Sequence, residues 1–304
     1  MFGEIFYWVF NMSIIATFMG LPVMLIRRIR AIPHRVSVFL WIVPFVRMCI
    51  PFGINNPYSL MTLVSRLTTR TVTVYQMEEG LSVSASNVIM AADSYFPLTY
   101  KTFALEIVFR AAGLVWIIIS LAILIALTVL YLTTKREVRD ARCLKGNVFL
   151  SERVGSPAVY GVFRPRIVLP ASCEDRDLRY VLQHERAHIR GRDNLWRLLA
   201  FFAAAIHWFN PFSWVFLKVF LSDLELACDE RAVAGYEGEE RKEYARSLLD
   251  YASGKNLFVS AFGGAKVRTR IENVLSYRHM TMITAVGFAI LILAIIITLL
   301  TNAG

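Results

Sequence analysis

Four stretches of this chain, residues 5–26, 38–54, 111–132 and 282–300, are apolar and carry no formal charge or nearly none. A helix crosses the hydrocarbon of a bilayer with about 20 such residues. A chain that gathers them four times cannot hide all that surface in one soluble core. With 56% hydrophobic and 18% charged residues and a mean hydropathy of +0.51, a disordered tail is excluded and a membrane protein is expected. Cys49, Cys143, Cys173 and Cys228 lie far apart with no C-x-x-C spacing, so neither a disulfide scaffold nor a cysteine zinc cluster is on offer.

The net charge of +10 gains meaning once placed on these spans. After the first span come Arg27, Arg28, Arg30 and Arg35 without an acid, whereas basic and acidic residues balance between the second and third. The positive-inside rule puts that first loop in the cytoplasm. The N-terminus, the loop 55–110 and the tail after residue 300 are then expected outside, and the segment 133–281 inside. The order of charges argues against a cleaved signal peptide: Glu4 precedes the first apolar run and the arginines follow it, as in an uncleaved anchor. Basic residues beside spans act as topology signals and headgroup contacts, so no direct nucleic-acid partner is expected; the lipid bilayer is one.

Residues 133–281 are of ordinary domain size and the only water-facing stretch large enough to fold. "SPAVYGVFRPRIVLP", from Ser156 to Pro170, reads as short strands whose prolines favour an edge or a hairpin. After Ser172 the apolar period becomes helical through Leu178, Val181, Leu182 and Ile189. The expected fold is therefore mainly α: four transmembrane helices, with a cytoplasmic α+β domain between the third and fourth. The boundaries are 1–132 for the first three spans and outer loop, 133–281 for the domain, and 282–304 for the fourth span and tail.

The predicted helix carries His184-Glu185-Arg186-Ala187-His188, an H-E-x-x-H sequence. Histidines four apart share a helix face and give two nitrogens to one Zn²⁺, while Glu185 beside them polarises a water and serves as the catalytic acid and base. Downstream, "LELACDE" sets Glu225 and Asp229 four apart on one face. Glu225 is free to complete a His-His-Glu set for one zinc per chain, and Asp229 suits the outer N–H of a ligand histidine, set against a plain solvated helix face for these acids. Cys228, by its helical spacing, is expected to point away and pack.

Between the two motifs lie 20 uncharged residues, 198–217. One membrane crossing there would put Glu225 on the wrong side, and two crossings need about 40 residues. If the three-ligand site exists, the run stays on the cytoplasmic side, buried in the domain or dipping into the bilayer, with Asn210-Pro211 the natural break between two helices. His207, near that break, is a candidate for holding a transition-state oxyanion or for a structural bond. Asp193 and Asn194, a turn beyond His188, are candidates to orient ligands or to cap a helix.

Taken together, "GVFRPRIVLP", "LRYVLQHERAHIRGRDNLWRLL", "HWFNPFSWVFLK" and "DLELACDERAV" resemble the BlaR/MecR family of membrane zinc metallopeptidases. The resemblance implies a gluzincin-like site of His184, His188 and Glu225 with Glu185 as acid and base, and a place for Asp229 in the family's E-x-x-x-D pattern. It further implies residence in the bacterial cytoplasmic membrane, activation from outside, and cleavage of a winged-helix repressor of the BlaI/MecI type. Family sensors continue after the fourth span into a penicillin-binding domain, whereas this sequence ends at Gly304. The expectation is a sensorless relative, signalled through its outer loop, a sensor partner or a homodimer, or else a fragment. The small and apolar segment Leu257, Phe258, Val259, Ser260, Ala261 and Phe262 is a candidate for self-cleavage, set against a plain tether. The rival functions are a membrane quality-control protease of the Ste24/HtpX type, and a non-catalytic transducer that sequesters a regulator.

Overall fold

The computed structural model describes residues 2–29, 32–50, 55–56, 58, 103–173, 178–251, 265–277, 281–300 and 302–303. In chain order the helices are α1 (Phe2–Ile26), α2 (His34–Leu40), α3 (Ile42–Cys49), α4 (Phe103–Glu137), α5 (Arg179–Gly191), α6 (Asp193–Ile206), α7 (Pro211–Ala232), α8 (Gly238–Tyr251), α9 (Val267–Leu275) and α10 (Met282–Leu300). The strands are β1 (Asn55–Asn56), β2 (Arg142–Lys145), β3 (Val148–Ser151), β4 (Ala158–Tyr160), β5 (Arg166–Pro170) and β6 (Asn302–Ala303). The chain is mostly helical with a small sheet. Among the described residues, two helices, over Ile5–Ile26 and Ile107–Glu137, are long and apolar enough to cross a membrane.

The expected second span, 38–54, is not one helix. It is broken at Trp41 into α2 and α3, and residues 51–54 lie outside the described residues. Pro44 has no N–H to give the Leu40 carbonyl one turn back, so the helical ladder loses a rung there. Trp41, wholly buried, instead donates its indole N–H to Asp223 at 2.8 Å.

The uncharged run 198–217 forms a helical hairpin, α6 and α7, turning at residues 207–210 where the sequence placed the break. Asn210 caps α7, its Oδ1 accepting from the Phe212 amide at 2.9 Å with Pro211 at the first helical position, an arrangement that satisfies one free amide and uses a residue lacking another. Its Nδ2 donates to Ser13 and Thr17 of α1. Trp116 of α4 donates to the Ile206 carbonyl. The hairpin tip is thus bonded to the helices predicted to span the bilayer. Ile15, Ala16 and Met19 of α1, Trp41 and Val43, Ala200 and Ala204 of α6, and Phe216, Phe220 and Leu224 of α7 form one buried core. Gly20 makes the α1–α7 contact possible, because a Cβ there would sit 2.2 Å from the Phe216 ring.

The sheet order is β2-β3-β5-β4. β3 and β5 run parallel, Val148 opposite Ile167, and β4 is antiparallel to β5, Ala158 opposite Val168. The prolines were expected to mark edge strands or a hairpin; β4 is at an edge and makes an antiparallel hairpin with the interior β5. Pro165 precedes β5 and Pro170 ends it, so neither removes an amide from the middle of the ladder. Val148, Leu150, Ile167 and Leu169 pack with Val181 of α5, which seats the H-E-x-x-H helix on the sheet.

Candidate metal centre

Helix α5 presents its two histidines one turn apart toward α7, with Nε2 of His188 3.2 Å from Nε2 of His184. From α7, Glu225 Oε2 lies 4.0 Å from His184 Nε2 and 3.8 Å from His188 Nε2. A point equidistant from these three donors is about 2.1 Å from each, by the geometry of that triangle, within the range of Zn–N and Zn–O bonds. The chain brings together the three donors predicted from sequence.

Each histidine is held from behind. His188 Nδ1 is 2.6 Å from Asp193 Oδ2, and Arg231 grips both oxygens of Asp193 at 2.8 and 2.6 Å. Arg192, in the left-handed region at φ 53°, turns the chain between α5 and α6 so that Asp193 comes back to His188. His184 Nδ1 lies 2.9 Å from the Tyr244 hydroxyl and 3.2 Å from Asp229 Oδ1. Tyr244 donates its own proton to Asp229 at 2.8 Å, so its oxygen accepts from N–H at Nδ1. Both rings thereby turn Nε2 inward. Of the two residues weighed as orienters, Asp193 lies on His188; Asn194 instead donates to the carbonyls of Val159 and Gly161, each at 3.0 Å.

Cys228 is a correction. Its sulfur does not point away but lies 3.7 Å from His184 Nδ1 and donates to the His184 carbonyl at 3.4 Å. Three residues apart on a helix are neighbours, so Cys228 lies beside Glu225 rather than opposite it. The donor atoms of His184, His188 and Cys228 all lie within 4.8 Å of one another, a second candidate set. His207 is far from the centre: its Nε2 is 3.0 Å from the Met48 carbonyl of α3. The 14 residues of α6, about 20 Å at 1.5 Å per residue, lie between it and Asp193. The transition-state role is thereby corrected in favour of the structural one.

The charges around the two histidines and Glu225 shift their titration strongly. Burial works against a charge on His184, yet the Cys228 sulfur and Asp229 push its pKa up to about 10. Burial likewise opposes ionisation of Glu225, but His188, Arg197 and Arg270 pull it down to about 2. Arg270, from α9, chelates Asp229 at 2.7 and 2.8 Å and reaches within 3.2 Å of His184 Nε2. Arg197 bonds the other Glu225 oxygen. Tyr244, Arg197 and Arg270 were not foreseen in the sequence; Tyr244 and Arg270 join the site from helices that the local spacing around the motifs does not connect to it.

Glu185 is nearly fully buried. Tyr160 of β4 feels its charge: burial raises the phenol pKa, and Glu137 and Glu185 raise it further. Beside His188 opens a cleft of about 360 Å³ walled by Val159, Phe163, Pro165, Ile189 and Leu195. Among the described residues the outer edge of β4 has no strand partner. The self-cleavage candidates Leu257, Phe258, Val259, Ser260, Ala261 and Phe262 lie outside the described residues.

The family described as BlaR1 peptidase M56 matches residues 7–276. The Regulatory protein BlaR1 of Bacillus licheniformis is 27% identical over 164 residues, 52% of this chain and 26% of that protein. The Methicillin resistance mecR1 protein of Staphylococcus aureus is 27% identical over 103 residues, 33% and 18% of the two chains. The Regulatory protein BlaR1 of Staphylococcus aureus is 26% identical over 135 residues, 41% and 23%. The matched part spans about a quarter or less of each relative's length.

Proposed function

The chain belongs to the BlaR1 peptidase M56 family, and from that premise we propose that it is a membrane zinc endopeptidase that cuts a cytoplasmic regulator in response to an outside signal. The observation carrying this reading is the trio of inward donors, Nε2 of His184 and His188 and Oε2 of Glu225, equidistant from one point at zinc-bonding range. The fit also explains why two histidines, each backed by a carboxylate, face an ionised Glu225. Cys228 stands on the other side of the His184 ring, toward Nδ1, and serves as packing and as a hydrogen-bond donor.

When bound, the zinc would polarise the scissile carbonyl and acidify the attacking water. Glu185 takes the proton from that water and passes it to the leaving amine. Asp193 and the Asp229–Tyr244 pair hold the two rings in the tautomer that keeps Nε2 free. An extended substrate segment adds to the open edge of β4 through backbone hydrogen bonds, which selects strands or locally unfolded chain. In this reading the substrate is a repressor of the winged-helix type, and a four-span arrangement with the N-terminus outside would put the centre on the cytoplasmic side. Residues 257–262 are proposed as a self-cleavage segment on their small and apolar sequence alone.

The test is co-expression in membranes with a repressor of this kind. Zinc near one per chain and a cut repressor are expected for the wild type, zinc without cleavage for Glu185→Ala, and loss of zinc for Glu225→Ala. Broad cleavage of misfolded membrane proteins, with the repressor spared, would favour the quality-control reading. Signalling that survives Glu185→Ala would favour the non-catalytic one.

A further inference from the structure

Helix α7 is acidic on two opposite faces. At 100° per residue, Glu225 and Asp229 fall together on the side facing the histidines, while Asp223 and Glu230, seven residues apart, fall together on the reverse. The reverse pair is held by Arg27, just after α1, and by α2 with the Trp41 that ends it. Arg27 donates to both oxygens of Asp223, through Nε at 2.7 Å and Nη2 at 2.5 Å, and Trp41 adds its indole N–H. The amides of His34 and Arg35 donate to the two oxygens of Glu230 at 2.9 and 3.3 Å, and the Arg35 guanidinium donates to the Glu230 carbonyl. Asp223 is wholly buried and Glu230 is 4% exposed. The sequence reads these arginines as topology signals and headgroup contacts; in the fold Arg27 and Arg35 also bond α7, whereas Arg28 is exposed.

We propose that Arg27 and Asp223, with Arg35 and Glu230 behind them, are positioning residues for the metal site: Arg27 after α1 and the start of α2 grip the back of α7 and thereby fix where Glu225 stands on its front. This rests on the reading of Glu225 as a zinc ligand. A bidentate arginine–carboxylate pair fixes both distance and orientation, and α7 is continuous from Asp223 to Glu230, so a rotation or slip released on one face is delivered to the other. A shift of about 1 Å in a supporting shell is enough to spoil a metal or catalytic constellation. Movement of α1 against α2 therefore has a direct mechanical route to the ligand set.

The probe is Zn²⁺ alone, its affinity for the full-length protein in detergent measured against a chelator, with the melting temperature and α7 amide exchange followed in parallel. Arg27→Gln and Asp223→Asn are expected to weaken zinc about tenfold, the lower end for loss of outer support to a ligand, and to speed exchange across residues 223–230 while the protein remains folded. Arg27→Lys, which keeps the charge but not the fork, is expected to fall between, and Arg28→Ala to match the wild type. Zinc held by the folded Arg27 and Asp223 variants within twofold of the wild type overturns the positioning role and leaves the zinc reading intact. Variants too unstable to assay place the decision on Arg27→Lys, for which unchanged affinity overturns the role equally. A wild type that binds no zinc overturns the ligand reading and the positioning role with it.

Discussion

Asp193 offers the sharpest test of how the proposed site is held, because one fully buried carboxylate serves His188 and an arginine together. Replacing it with alanine removes the 2.6 Å bond that fixes the His188 tautomer and strips Arg231 of both contacts to the carboxylate. Loss of such outer support costs about 10- to 100-fold in metal affinity, or about 1.4 to 2.8 kcal/mol at 1.4 kcal/mol per tenfold. The cost to the fold is a separate quantity. Arg231 is 21% exposed and can turn to water, so an expected loss of about 1 to 3 kcal/mol for an unsatisfied buried group falls toward its lower end. Asp193→Asn keeps an oxygen to accept from Nδ1–H of His188 and is expected to hold zinc within about tenfold of the wild type. Chelator competition at fixed pH and salt, with a thermal melt of the same samples, separates the two effects. Zinc affinity of Asp193→Ala within twofold of the wild type would refute the claim that Asp193 orients the ligand.

Glu185→Gln keeps the shape of the acid but not its basicity, so cleavage is expected to fall by about 10²- to 10⁴-fold with zinc retained; loss of metal in that variant would instead make Glu185 part of the binding set. Gly20→Ala drives a methyl group into the fully buried Phe216 ring and is expected to cost about 1 to 3 kcal/mol, read as a lower melting temperature, while a neutral result would mean that α1 and α7 do not pack as described. Asn210→Ala removes a helix cap along with bonds to Ser13 and Thr17; about 1 kcal/mol is expected from the cap alone, visible in unfolding. Removal of zinc by chelator is expected to release α5 and α7 from each other and to increase amide exchange in both, with restoration on adding Zn²⁺ back.

What could be read from the residues was whatever rests on short-range periodicity. Histidines four apart and acids four apart announce a shared face, and Asn210-Pro211 announces a helix start, because these are properties of one turn of chain. The apolar runs likewise foretold α1, most of α4 and α10. The break of 38–54 into α2 and α3 was less visible, since Pro44 is tolerated near a helix start and the deciding contact, Trp41 to Asp223, joins residues 182 apart. Cys228 was misread because a shared-face argument was applied too narrowly: a residue three positions from Glu225 also borders that face. Arg27 and Arg35 look like topology signals in sequence, and only the fold brings buried acids to them. Tyr244 and Arg270 reach His184 across 60 and 86 residues, a pairing that no local pattern encodes.

Zinc X-ray absorption on the purified wild-type protein tests the central claim most directly, because it distinguishes the two donor sets that surround His184. If His184, His188 and Glu225 hold the metal, the zinc shell contains only nitrogen and oxygen at about 2.0 to 2.1 Å. A sulfur neighbour at about 2.3 Å would assign Cys228 as a ligand in place of Glu225, and a protein that binds no zinc would contradict the account altogether.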